Sequence, residues 1–119
     1  MADDDFDVLI QHIRTSDRIL AIVGAGLSRP SGLPTFRQDP DFWGRPISEI
    51  ATKSAFLQSP VSVWKLYERM RQIAIHARPN AGHEALAHLS KAKPNFLTIT
   101  QNIDGKCMKL RSSHVVDPI

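Results

Sequence analysis

Between positions 24 and 47 the chain places four of its eight prolines and four of its six glycines. Proline lacks an N–H and clashes with a preceding helical turn, so no long helix or central strand runs through such a segment. A connection of this length inside a small domain is usually functional or disordered. It starts directly after "RILAIV", Arg18 to Val23, a short apolar run that fits a buried strand of a parallel sheet. Whatever the chain does must therefore accommodate a long, irregular, glycine- and proline-rich loop at the end of a strand.

The flanking pattern supplies the other elements. Phe6, Val8, Leu9, Ile10 and Ile13 predict an amphipathic helix to about Arg14, broken by Thr15-Ser16-Asp17. Ser48 to Leu57 has room for one or two short helices. Ser59-Pro60 reads as N-cap and first helical residue of a further helix, with Val63, Leu66, Tyr67, Met70 and Ile73 on one face to about Ala77. Asn80 is placed to cap another helix, with Ala85, Leu86 and Leu89 on one face. "NFLTIT", Asn95 to Thr100, predicts a second strand. The order is β-α-β with an elaborated helical crossover, which makes an α/β fold with a parallel sheet the expected class.

The 119 residues support one domain, 1–119, and 42% apolar residues is ordinary for a globular chain. A net charge of +3, with scattered basic residues, gives no footprint for nucleic acid. No apolar run approaches the roughly 20 residues of a membrane helix. No secretory or arginine-rich transit signal opens the chain, and the acidic start argues against the latter. Cys107 is the single cysteine, so neither an internal disulfide nor a four-cysteine zinc site is available, and an intracellular compartment is the default expectation.

Gly24 and Gly26 follow the first strand, where glycine lets backbone N–H groups approach a pyrophosphate. Ser28 adds a hydroxyl and Arg37 a fork of donors. A dehydrogenase fingerprint does not fit. Its third glycine falls on Arg29, Pro30 and Pro34 interrupt its helix, and no acidic strand end follows about 20 residues on. The alternative for a bare Gly-x-Gly is a turn that binds nothing. At the far strand "TQNID", Thr100 to Asp104, puts polar side chains at the carboxyl edge of the sheet, where open α/β folds bind ligands. Gln101 and Asn102 can hydrogen-bond ribose hydroxyls or a water. Alone, this segment reads rather as an Asx-type turn capping the next helix.

Taken together, "GAGLSRPSGLPTFR" resembles the NAD-binding loop of the sirtuins, the NAD-dependent protein-lysine deacylases. "TQNID" matches a second family motif and "PNAGH", Pro79 to His83, a third. The resemblance runs from about residue 18 to 104, with 105–119 as a divergent tail. It implies the N-terminal half of a sirtuin catalytic domain, with a partial Rossmann-like parallel sheet. It implies NAD as cofactor, bound by Gly24, Ala25, Gly26, Ser28, Thr35, Phe36, Arg37, Trp43, Gln101, Asn102 and Asp104, in a loop that closes over the cofactor in place of a helix. It also implies an acyl-lysine protein or peptide as partner. Thr35, where many sirtuins have aspartate, resembles the branch that removes acidic acyl groups.

"VWKLYERMR" resembles that branch's acyl-reading helix. Tyr67 matches its tyrosine, but Met70 stands where its arginine would be, and a methionine cannot pair with a carboxylate. Core packing is the alternative role for Tyr67 and Met70. The family's catalytic histidine, a general base, has no counterpart: Ile119 falls at its place and His114 is not followed by glycine. No catalytic residue is therefore assigned, and this chain is expected to carry the NAD-binding half only. Zinc is implied for full-length relatives, but no ligands for it stand here. His76, His83 and His88 read as surface or packing residues. The rival reading is a catalytically inactive NAD-binding or interaction fragment. An ADP-ribosyl transferase and a product that does not fold are further alternatives.

Overall fold

A computed structural model describes residues 3–36, 44–106 and 115–116. Helix α1, Asp3–Thr15, leads into strand β1, Ile19–Val23. A 3-10 segment, Ala25–Ser31, follows at once. Helices α2 (Ile47–Ile50), α3 (Lys53–Gln58), α4 (Pro60–His76) and α5 (Ala81–Ala92) then return the chain to strand β2, Phe96–Thr100. Strand β3, Val115–Val116, completes the described sheet.

The sheet is parallel, in the order β1-β2-β3. Ile19 pairs with Phe96 and Val23 with Thr100, while Thr98 and Ile99 pair with Val115 and Val116. The α/β class and the helical crossover agree with the sequence pattern. The third strand does not, because it comes from the tail, where the sequence predicts no element. A two-residue valine pair is too short to show a period, so only pairing with β2 reveals it.

Local expectations also differ from the structure: β1 reads as a buried strand, yet none of its residues is buried and Leu20 and Ile22 are exposed. The segment after Gly24 is helical after all, though of the 3-10 kind, with Leu27 N–H donating to Gly24 O at 3.0 Å. Ala85 is exposed, and the buried face of α5 is His83, Ala87 and Ser90.

Helix boundaries follow local chemistry. Thr52 caps α3, its Oγ1 accepting from Ala55 N–H at 3.1 Å. Pro60 sits in the first turn of α4 as predicted, although the Ser59 hydroxyl pairs with the Ser62 hydroxyl at 2.9 Å and caps no backbone donor. The main apolar cluster, Ile47, Ile50, Val63 and Leu66, packs α2 against α4, with Tyr67 and Met70 at its border. Lys93, just past α5, donates to Arg14 O at 2.7 Å and Ser16 O at 3.0 Å, which ties the end of α1 to the end of α5.

Candidate functional site

The site forms where β1 and β2 both end. Because the strands are parallel and in register, Gly24 and Gln101 emerge side by side at one sheet edge. Gln101 N–H donates to Val23 O at 3.3 Å, and Asn102 Nδ2 donates to Gly24 O at 2.8 Å. The two motifs, joined by residues 78 positions apart in the chain, thus share one hydrogen-bonded corner. Thr100 Oγ1 accepts from Asn102 N–H at 3.0 Å and turns the chain sharply there.

The 3-10 segment is held open by a substitution of donors. In such a helix the N–H of residue 30 would serve the carbonyl of residue 27. Residue 30 is proline and has no N–H. Asn80 supplies the missing donor from another element: its Nδ2 reaches Leu27 O at 2.7 Å and Ser31 Oγ at 2.9 Å. The other half of the same amide caps α5, with Oδ1 accepting from Gly82 N–H at 2.9 Å. Gly32, at φ 92°, then ends the segment in the left-handed region. A Cβ at Gly26 would face open space, so the backbone is bare to a ligand there. One at Gly24 would come 2.7 Å from Gln101 Nε2.

Ser28 is 1% exposed and joins three elements. Its hydroxyl donates to Asp104 Oδ2 at 2.5 Å. On its other side His83 Nε2 lies 3.4 Å away. His83 Nδ1 accepts from Asn80 N–H at 3.2 Å, so the ring proton sits on Nε2 and points at Ser28. Asp104 Oδ1 accepts from Lys106 N–H at 2.9 Å. Lys106 is fully buried, and its Nζ donates to Ala74 O near the C-terminus of α4, where carbonyls lack helical partners.

Burial lowers the His83 pKa from its ordinary value of 6.5, with Asp104 opposing and Lys106 reinforcing the shift. His83 is therefore neutral at pH 7. The unfolded chain takes up a proton near pH 6.5 where the folded one resists it. The His83 contribution is thus fully present above that pH and is lost as pH falls through the lowered folded value. Thermal melts between pH 7.5 and 5.5 are expected to show a decline that is smaller in His83→Asn.

A cavity of about 190 Å³ opens beside this network. Ala25, Ser28, Phe36, Gln101, Asn102 and Asp104 all line it. Tyr67 and Met70 form its far wall together with Leu33 and Ile103. Thr35 is buried, but it, Gly24 and Gly26 are not among the residues that line the cavity. Arg37 and Trp43 lie outside the described residues, as do Cys107 and His114. Among the described residues no group of three His, Cys, Asp or Glu is placed to hold a metal, and no helix is long and apolar enough to cross a membrane.

His83, Asn80 and Lys106 were not singled out as site residues. The first two had a signal: an Asn three residues before a side chain able to answer its N–H is a capping-box spacing. Lys106 had none.

Residues 24–117 match the model of the Sir2 family. The chain belongs to the Sir2 family. It is 40% identical over 100 residues to an NAD-dependent protein deacylase of Aquifex aeolicus (strain VF5), covering 83% of this chain and 42% of that protein. A Sir2 homologue–NAD complex superposes with TM-score 0.83 at 35% identity, covering 92% of this chain and 43% of that one. A mutant Sir2 homologue in complex with 2′-O-acetyl ADP ribose gives TM-score 0.85 at 34% identity, covering 98% and 45%. This chain thus spans less than half the length of these Sir2 relatives. The matched residues contain both motifs and the corner they build.

Proposed function

We propose that this chain carries the cofactor side of an NAD-dependent protein-lysine deacylase. The observation that supports it is the convergence of Ala25, Ser28, Phe36, Gln101, Asn102 and Asp104 on one cavity, from two motifs joined by the Asn102–Gly24 bond. NAD fits the donor set. Bare backbone at Gly26 and the start of the 3-10 segment suit a pyrophosphate. The Gln101 and Asn102 side chains suit ribose hydroxyls, and Asp104 suits the amide N–H of a carboxamide. When bound, NAD supplies a ribose carbon that accepts the acyl oxygen as nicotinamide departs.

The residues present act on that chemistry by position. Ser28 holds Asp104 in one orientation through the 2.5 Å bond, and neutral His83 holds Ser28. Leu33, Phe36 and Ile103 give the cavity an apolar wall. Tyr67 and Met70 face the same cavity from α4, which supports a role in contacting the acyl group of an acyl-lysine protein.

A saturable NAD titration by calorimetry tests the reading, and Asn102→Ala is expected to weaken binding by about 5- to 20-fold, the value of one or two hydrogen bonds. Absence of NAD binding in a cooperatively folded sample would refute it.

A second reading, a binding chain that works through a partner, is favoured by one observation. Leu20 and Ile22 on β1 are 55% and 76% exposed. Apolar strand residues are seldom left bare. NAD binding that persists without nicotinamide release would support that reading.

A further inference from the structure

Helix α1 carries an apolar stripe that the fold leaves largely bare. Phe6, Leu9, Ile10 and Ile13 fall within about 100° of arc around the helix. Phe6 is 49% exposed, Leu9 48% and Ile10 44%. Ile13, near the tie from Lys93 to Arg14 O, is half-buried. A stripe of this kind normally lies against a core. The charges beside it are ordered too. Asp5 and His12 flank the stripe on one side, Asp7 and Arg14 on the other, and all four are exposed. The acids stand in the first half of the helix and the bases in its last turn.

That arrangement selects an occupant. Two such helices side by side in parallel would set acid against acid and base against base. Run antiparallel about a two-fold axis, each flank meets its own copy reversed. Asp5 then faces His12 of the second copy, and Asp7 faces Arg14. Phe6 meets Ile13 and Leu9 meets Ile10 across an axis between positions 9 and 10. The stripe is thus complementary to itself in apolar contacts and in charge. A lipid surface fits it poorly, because anionic headgroups would meet Asp4, Asp5 and Asp7.

We propose that α1 is a self-association site on which a second copy of this chain docks antiparallel, with Phe6, Leu9, Ile10 and Ile13 of each copy forming the seam. The apolar contacts hold the pair together. The flanking charges fix its direction, since exposed ion pairs contribute little to affinity. A 13-residue helix is about 20 Å long, so the seam is smaller than the roughly 1,600 Å² of a standard interface. The dimer is accordingly weak, with a Kd of about 10–200 μM. No residue of α1 lines the cavity at the β1–β2 corner, so the proposal stands independently of the NAD reading.

The test is sedimentation velocity on the full 119-residue chain from about 5 to about 500 μM, which is expected to show a reversible shift from monomer to dimer. Leu9→Ser with Ile10→Ser is expected to weaken the dimer more than about tenfold, because four apolar side chains leave the seam. Val8→Ser, on the opposite side of the helix, is expected to change the Kd by less than about twofold. Charge swaps read the direction. Asp5→Lys with Asp7→Lys, and His12→Glu with Arg14→Glu, are each expected to stay monomeric alone and to dimerise when mixed. A thermal melt of each variant separates a lost seam from lost folding. If a charge-swapped chain does not fold, the comparison of Leu9→Ser with Ile10→Ser against Val8→Ser decides. A chain that stays monomeric at about 500 μM while melting cooperatively overturns the proposal. So does a dimer that Leu9→Ser with Ile10→Ser leaves intact, which would move the contact to Leu20 and Ile22 of β1. Swapped chains that dimerise alone and not with each other overturn antiparallel docking.

Discussion

Replacing Asn80 with alanine is expected to lower the unfolding free energy by about 2–4 kcal/mol, the sum of a lost helix cap and an orphaned backbone carbonyl. Three bonds go at once: Oδ1 to Gly82 N–H, and Nδ2 to Leu27 O and to Ser31 Oγ. The Leu27 bond matters most, because Pro30 leaves that carbonyl no helical donor. Asn80→Asp separates the two roles. A carboxylate still caps α5, where the helix dipole favours it, but it turns an acceptor toward Leu27 O. The aspartate variant should therefore remain destabilised in urea titrations despite its better cap. An aspartate variant as stable as the parent would show that the link to the 3-10 segment carries no weight.

The second large effect is on the cofactor. Asp104→Ala is expected to weaken NAD binding by about 10- to 100-fold, from two donors left without an acceptor and one lost ligand contact. Ser28 Oγ and Lys106 N–H both lose their acceptor, and the loop after β2 loses one of its ties to the segment after β1. Asp104→Asn keeps the shape and one acceptor oxygen, so it should fall between parent and alanine. Calorimetry with NAD, beside a melt of each variant, separates lost affinity from lost folding. Equal NAD affinity in the alanine variant would remove Asp104 from the site.

Most of the scaffold was legible because its signals are local. β1 was visible as an apolar run ending on glycine, and the start of α4 as Ser59-Pro60. Asn80 was visible as a cap. The pairing of "GAGLSRPSGLPTFR" with "TQNID" was legible through resemblance, and the parallel register of β1 and β2 is what turns those two motifs into one corner. The 3-10 segment was hidden because Pro30 argues against a helix, and the donor that compensates for it stands fifty residues away. His83 looked like any helical histidine. Its burial, its tautomer and its lowered pKa depend on Ser28 and Asp104 arriving from other elements.

The order of elements, the Asn80 cap and the polar residues at the strand ends were written in neighbouring residues, because propensity, capping and proline sterics act over a few positions. Folding in three dimensions decided the rest. It gave the valine pair of β3 a strand to join and gave Lys106 the end of α4 to cap. It also set Met70 between the apolar cluster and a cavity that Ala74 lines as well. Those outcomes depend on what each side chain meets across the fold, and no spacing along the chain encodes that meeting.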